Sequence, residues 1–239
     1  MTARKGDRKQ QAPDARQRPL PIVVLISGNG SNLQAIMEAI AQQALSVEIR
    51  AVISNNPHAP GLLHAQEAGI PTRILAHKTF ADRPAFDGAL QSAIDSFEPE
   101  LVVLAGFMRI LGAEFVAHYA GHMLNIHPSL LPAFTGLNTH QRALDSGATE
   151  HGASVHFVTS ELDGGPVIIQ ARVPILPNDN IKTLAQRVLE AEHRIYPLAI
   201  RWFAEGRLRL MQNQVMLDGI PLADPVNYEH ERHAQFATP

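Results

Sequence analysis

The chain has 239 residues, 45% of them hydrophobic and 18% charged, with a formal net charge of -3 and no cysteine. Such a length suits one domain with a substantial core, the balance excludes disorder of the chain as a whole, and the missing thiols exclude disulfides, thiolate metal sites and a cysteine nucleophile. The longest apolar runs, such as Leu101 to Met108, fall far short of the roughly 18 residues of a membrane-spanning helix, so no membrane is expected as a partner.

Residues 1–20 hold six Lys or Arg and two Asp, a net of +4, which leaves -7 for the rest. With almost no large apolar residue, this segment cannot offset its ordering entropy and is expected to be a disordered basic tail, order beginning near Pro21. Gly6 to Arg18 is polar where a signal peptide needs its apolar core, so a cytoplasmic protein is expected. The acidic body argues against nucleic acid as a partner.

From Pro21 onward, apolar runs alternate with helical patterns, which predicts an α/β fold: a doubly wound, mostly parallel, Rossmann-like sheet. Ile22 to Ile26 reads as a buried strand, followed by a Gly-rich loop and by Leu33, Ile36, Met37 and Ile40 at helical spacing. Val47 to Ile53 is a second strand, Gly61 to Ala68 a short helix, Thr72 to Leu75 a third strand, and Asp82 to Phe97 a helix with Pro84 in its first turn. Leu101 to Leu104 and Met123 to Ile126 are further strands, separated by a short helix over Ala113 to Tyr119. Ala153 to Val158 and Val167 to Val173 flank Asp163-Gly164-Gly165, which predicts an antiparallel hairpin at the sheet edge. Ile181 to Phe203 is a long amphipathic helix interrupted by Pro197, and the segment from Ala204 on, net -2, shows only hairpin-like fragments.

Ligands of open α/β sheets bind beyond the carboxyl ends of the strands, and three such places carry polar residues. The first is Gly28-Asn29-Gly30-Ser31-Asn32, between a strand and a helix N-terminus, where free N–H groups and the helix dipole suit a phosphate. Leu33 stands where a dinucleotide fingerprint has its third Gly, and no Gly-Lys-Ser/Thr follows, so NAD and ATP are disfavoured; a tight turn is the plain alternative. The second is Asn125-Ile126-His127-Pro128, in which period-two alternation puts an amide and an imidazole on one side. That pair suits acyl-group transfer, the amide stabilising an oxyanion and the imidazole moving protons. The third is Asp163, whose carboxylate near His127 would fix the ring's tautomer, but which also reads as an ordinary turn residue. His118 and His122, four apart, lack a third ligand, so no metal is expected.

Taken in this order, the three places resemble the folate-dependent formyltransferases, from about Ile22 to Trp202. The landmarks are Ile26-Ser27-Gly28-Asn29-Gly30-Ser31-Asn32, Leu104-Ala105-Gly106-Phe107-Met108-Arg109-Ile110-Leu111, Asn125-Ile126-His127-Pro128-Ser129-Leu130-Leu131-Pro132, His151-Gly152-Ala153-Ser154-Val155-His156-Phe157-Val158, Leu162-Asp163-Gly164-Gly165-Pro166 and Glu192-His193-Arg194-Ile195-Tyr196-Pro197. The Gly-Asn-Gly-Ser-Asn loop narrows the resemblance to the branch that formylates 5-phosphoribosylglycinamide. Ala133-Phe134 and Asn138 depart modestly from a loop that often reads differently.

The resemblance implies that 21–213 is the catalytic domain and 214–239 a C-terminal extension, with 10-formyltetrahydrofolate as co-substrate and neither metal nor ATP. It makes Asn125, His127 and Asp163 the catalytic set. Gly30, Ser31 and Asn32 would hold the substrate phosphate, and Leu189, Glu190, Ala191 and Glu192 the ribose-glycinamide part. The folate would meet Met108, Arg109, Ile110, Leu111 and Asn125, with its pterin near Thr159, Ser160, Glu161, Leu162 and Asp163 and its acidic tail reached by Arg83. A monomer or homodimer acting on small molecules is implied. A formyltetrahydrofolate hydrolase would carry a further N-terminal domain and a methionyl-tRNA formyltransferase a basic C-terminal one. A non-catalytic phosphate-binding module would need only the Gly loop.

Overall fold

A computed structural model describes residues 18–228. Its strands are β1 (Leu20–Ile26), β2 (Val47–Ser54), β3 (Thr72–Ile74), β4 (Leu101–Leu104), β5 (Met123–His127), β6 (Glu150–Phe157), β7 (Val167–Pro174), β8 (Leu208–Met211), β9 (Gln214–Leu217), β10 (Ile220–Pro221) and β11 (Val226–Tyr228). Eight of them form the main sheet, in the order β11-β7-β6-β5-β4-β1-β2-β3, and β8 to β10 form a small antiparallel one. β1 to β5 pair in parallel, β6 runs antiparallel to both β5 and β7, and β11 adds parallel to β7.

Alternation along β1 explains the two layers of helices. Ile22, Val24 and Ile26 face a core shared with α1 (Ser31–Ala41), α2 (Gly61–Glu67) and α6 (Ile181–Ala204), while Val23 and Leu25 face α3 (Arg83–Asp95) and α4 (Ala113–His118). Both faces of the parallel strands are covered, which is why their sequences are almost wholly apolar. The sheet reverses direction of progression between β1 and β4, the place where a doubly wound fold opens a crevice. No helix among the described residues is long and apolar enough to cross a membrane.

Several details differ from the sequence-based expectation. Leu20, 3% exposed, already belongs to β1, so the part of the expected tail up to residue 17 lies outside the described residues, as does 229–239. α6 is continuous through Pro197, because Ile195, Tyr196, Ala199 and Ile200 are buried on either side of the missing N–H and packing holds the helix across it. A further helix, α5 (Thr139–Asp145), stands where no element is expected; its stretch is polar and its buried residues are Thr139 and Ala143. The β8–β9 hairpin spans the expected 213/214 boundary, and Val226 and Tyr228 of β11 pack against the main core, so residues 214–228 are continuous with the body. Outside the β6–β7 hairpin this sheet end carries β11 as one more short strand.

Candidate active site

The carboxyl ends of β1, β4 and β5 are neighbours in the sheet, and each delivers a different piece of chemistry. After β1, Gly30 is the N-cap of α1 in a left-handed conformation (φ 75°), and a Cβ there would lie 2.7 Å from the Cα of Gly61. Only glycine meets both demands. No side chain caps α1, so its first-turn N–H groups point outward from the positive end of the helix dipole.

Asn32, in that first turn, donates from Nδ2 to Oε2 of Glu192 on α6 at 2.7 Å. Both side chains are buried, and Oδ1 of Asn32 has no partner. Desolvation pushes the Glu192 carboxyl up to about 7, against the opposing effect of the Asn32 donor. Beside it, the Tyr196 hydroxyl reaches the carbonyls of Leu104 and Leu124, at 2.9 and 3.0 Å, and fixes α6 against β4 and β5. Of the four helix residues expected at this place, Glu192 makes the contact with the Gly loop. Ala191 is buried in the core and Glu190 is exposed.

On β5, Asn125 and His127 line one cleft of about 790 Å³, as their alternation requires. Asn125 pairs across the antiparallel register with His156 of β6, and its Nδ2 lies 3.0 Å from His156 Nε2. Since His156 Nδ1 donates to the Phe157 carbonyl at 2.9 Å, Nε2 of the neutral ring is the acceptor and the amide N–H the donor. Burial lowers the His156 pKa and favours that neutral state. His127 Nε2 donates to the Phe134 carbonyl at 3.0 Å, and its Nδ1 lies 3.6 Å from Asp163 Oδ2, an ion-pair distance rather than a hydrogen bond.

Asp163 sits in a left-handed conformation (φ 52°) within the long β6–β7 connection, 158–166, and not in a two-residue hairpin turn. Its Oδ2 also accepts from the Gly136 N–H at 2.7 Å. The three residues singled out in the sequence therefore come together, with Asp163 bridging His127 and the loop 128–138.

That loop is held from beneath by a buried polar network. Ser154 Oγ donates to the Ser129 carbonyl at 2.6 Å and accepts from Leu131 N at 3.0 Å and Gln170 Nε2 at 2.9 Å; Gln170 Nε2 also reaches the Leu131 carbonyl at 2.8 Å. Ser154, Gln170 and His156 are not among the functional residues singled out in the sequence. The antiparallel register of β5, β6 and β7 would reveal all three, but register depends on loops whose length the sequence leaves open. His140 and His151 form a further pair, Nε2 of His151 lying 3.2 Å from Nδ1 of His140. Burial, then the neighbouring His140 and His127, lowers the His151 pKa to about 4.

The cleft is walled in part by residues singled out in the sequence and in part by Gly136 to Gln141 and Ile181, which are not among them. Arg83, Met108, Arg109, Ile110, Leu162 and Asp163 line it, and a smaller adjoining pocket of about 110 Å³ is lined by Arg109, Ile110, Leu111, Asn125, His156 and Thr159 to Asp163. Met108 and Ile110, 68% and 57% exposed, present apolar surface to it. Arg83 Nε donates to the Ile110 carbonyl at 3.0 Å. Among the described residues, no group of three or more His, Cys, Asp or Glu is placed to hold a metal ion.

Residues 20–200 match the formyl transferase family model, and the chain belongs to that family. Within it, the chain is 56% identical over 198 residues to the phosphoribosylglycinamide formyltransferase of Escherichia coli, covering 83% of this chain and 93% of that one. A region of the human trifunctional purine biosynthetic protein adenosine-3 is 46% identical over 192 residues, 80% of this chain and 19% of that one. The structure of phosphoribosylglycinamide formyltransferase from Coxiella burnetii superposes with a TM-score of 0.85 at 59% identity, covering 89% of this chain and all of that one. That of glycinamide ribonucleotide transformylase 1 from Symbiobacterium toebii gives 0.81 at 42%, covering 84% and 95%.

Proposed function

We infer that the chain is a phosphoribosylglycinamide formyltransferase of purine biosynthesis, moving the formyl group of 10-formyltetrahydrofolate to the amine of 5-phosphoribosylglycinamide. The observation that carries this is the alignment, across the carboxyl ends of neighbouring strands, of an uncapped helix N-terminus, an Asn-His-Asp cluster and an apolar cleft. Two substrates, one phosphorylated and one largely aromatic, can thus meet at β5.

The phosphate takes the N–H groups of Gly30, Ser31 and Asn32, and the ribose-glycinamide part lies toward Glu192. The folate lies along Met108 to Leu111 with its pterin against 159–163 and its acidic tail toward Arg83. The amine nitrogen attacks the formyl carbon and the carbonyl electrons move onto oxygen. Asn125 donates to that oxyanion, since His156 holds its N–H face in place. The C–N10 bond then breaks, and His127 carries the proton lost by the amine to N10 of the departing tetrahydrofolate. Asp163 orients the ring and balances the imidazolium charge. No residue forms a covalent intermediate, and the scheme needs neither metal nor ATP.

Consumption of 10-formyltetrahydrofolate should depend on added 5-phosphoribosylglycinamide, proceed with EDTA and without ATP, and yield formylated acceptor in step with tetrahydrofolate. Release of formate at a comparable rate without acceptor would overturn the reading in favour of a hydrolase.

A further inference from the structure

We propose that Asp87, which lines neither the large cleft nor the smaller adjoining pocket, is a positioning residue for the folate-side wall of the cleft; this rests on the folate placement argued above. The wall is the segment 105–112 after β4, which has no regular secondary structure and carries Met108 and Ile110 with their side chains largely in solvent. Ala105, Phe107 and Leu111 anchor the segment in the core, while the stretch that carries the exposed Met108 and Ile110 is fixed further by hydrogen bonds from its surroundings.

Three side chains supply them. Ser27 Oγ accepts from Met108 N at 2.7 Å, Arg83 Nε donates to the Ile110 carbonyl at 3.0 Å, and Asp87 Oδ2 accepts from Gly112 N at 2.8 Å. Ser27 borders the phosphate loop and Arg83 lines the cleft itself. Asp87, one helical turn beyond Arg83 on α3, is the tie that stands apart from both substrates.

Two observations set Asp87 apart from an ordinary helix acid. It is buried on the same face as Phe86, Leu90 and Ile94, with Oδ1 lacking any hydrogen-bond partner, an arrangement that an apolar residue would improve if stability alone mattered. Gly112, moreover, has φ -73°, which any residue can adopt, yet a Cβ there would sit 2.7 Å from Asp87 Oδ2. The carboxylate, not the backbone conformation, is what a side chain at 112 would have to displace.

Steady-state kinetics of Asp87→Ala, Asp87→Asn and Gly112→Ala test the role. Asp87→Ala should raise KM for 10-formyltetrahydrofolate about tenfold, as expected for losing a hydrogen bond to a charged acceptor, while kcat and the KM for 5-phosphoribosylglycinamide stay within about twofold. Asp87→Asn keeps an acceptor oxygen and should restore the folate KM. Gly112→Ala displaces the carboxylate without removing it and should reproduce the Asp87→Ala pattern, so poor folding of the Asp87→Ala variant does not end the test. An unchanged folate KM in both Asp87→Ala and Gly112→Ala, a uniform loss in all parameters, or failure of Asp87→Asn to rescue overturns the proposal while formyl transfer by the wild type stands. A wild type without acceptor-dependent turnover removes the formyl-transfer function, and this role with it.

Discussion

His127 and Phe134 are joined by a 3.0 Å hydrogen bond from the imidazole Nε2 to a main-chain carbonyl. A carbonyl only accepts, so Nε2 carries a proton, and the nitrogen that faces the Asp163 carboxylate is Nδ1. The ring is thus tied at Nε2 before any substrate enters, and Nδ1 is left to take up a proton, the resulting charge balanced by the Asp163 carboxylate 3.6 Å away. His127→Ala and Asn125→Ala should each lower kcat by about 100- to 1000-fold, with smaller changes in substrate KM, because both act as charge develops. Rapid-quench measurement of formyl transfer in the two variants checks this, and near-normal turnover in either would remove its assigned role.

Asp163 has two partners, the His127 ring and the Gly136 N–H, so its removal should loosen the ring and the loop together. Asp163→Ala is expected to lower kcat/KM by roughly 10- to 100-fold, since the ion pair to His127 and the Gly136 hydrogen bond to a charged group are lost together. Asp163→Asn, which retains an acceptor for Gly136, should keep most of the thermal stability while still losing activity. Parallel melting and kinetic measurements on both variants separate the two effects.

Much of this site was legible in the sequence because strand alternation and Gly placement are local. Asn125 and His127 share a side by period two alone, and the Gly30 loop follows from an apolar strand running into a helix. What stayed hidden depends on distant pairing. Asp163 reads as a tight turn until the β6–β7 connection is seen to span 158–166, and His156 reads as one of 12 histidines until register places it opposite Asn125. α5 lacks a clear apolar stripe, and β11 is three residues long, too short for periodicity to register.

Glu192 makes stability depend on pH. Its folded pKa of about 7 stands above the ordinary value of 4.5, so between these values the folded chain holds a proton that the unfolded chain has lost. Stability is unaffected below about pH 4 and falls as pH rises through that window, by about 3 kcal/mol once Glu192 is ionised. Glu192→Gln keeps the acceptor for Asn32 without the charge. The variant should therefore match the wild type near pH 4.5 and be the more stable of the two at pH 8. Urea unfolding at both pH values measures the difference, and a gap that does not widen with pH would refute it.

Ser154 is fully buried and makes three hydrogen bonds, to the Ser129 carbonyl, from Leu131 N and from Gln170 Nε2. Ser154→Ala leaves all three partners without it, although Gln170 keeps the Leu131 carbonyl. Leaving buried polar groups unpaired costs about 1–3 kcal/mol each, partly relieved by relaxation, so a total loss of about 2–3 kcal/mol is expected. For a chain of this size that lowers Tm by roughly 5–10 °C. The same loop carries Phe134, whose carbonyl orients His127, so kcat should fall more than the melting change explains at temperatures where the variant is fully folded. The folate KM should change little, because Met108 to Leu111 are tied to α3 and to Ser27, just after β1, rather than to this network. A Ser154→Ala chain with lowered Tm but wild-type kcat would show that the network supports the fold without positioning His127.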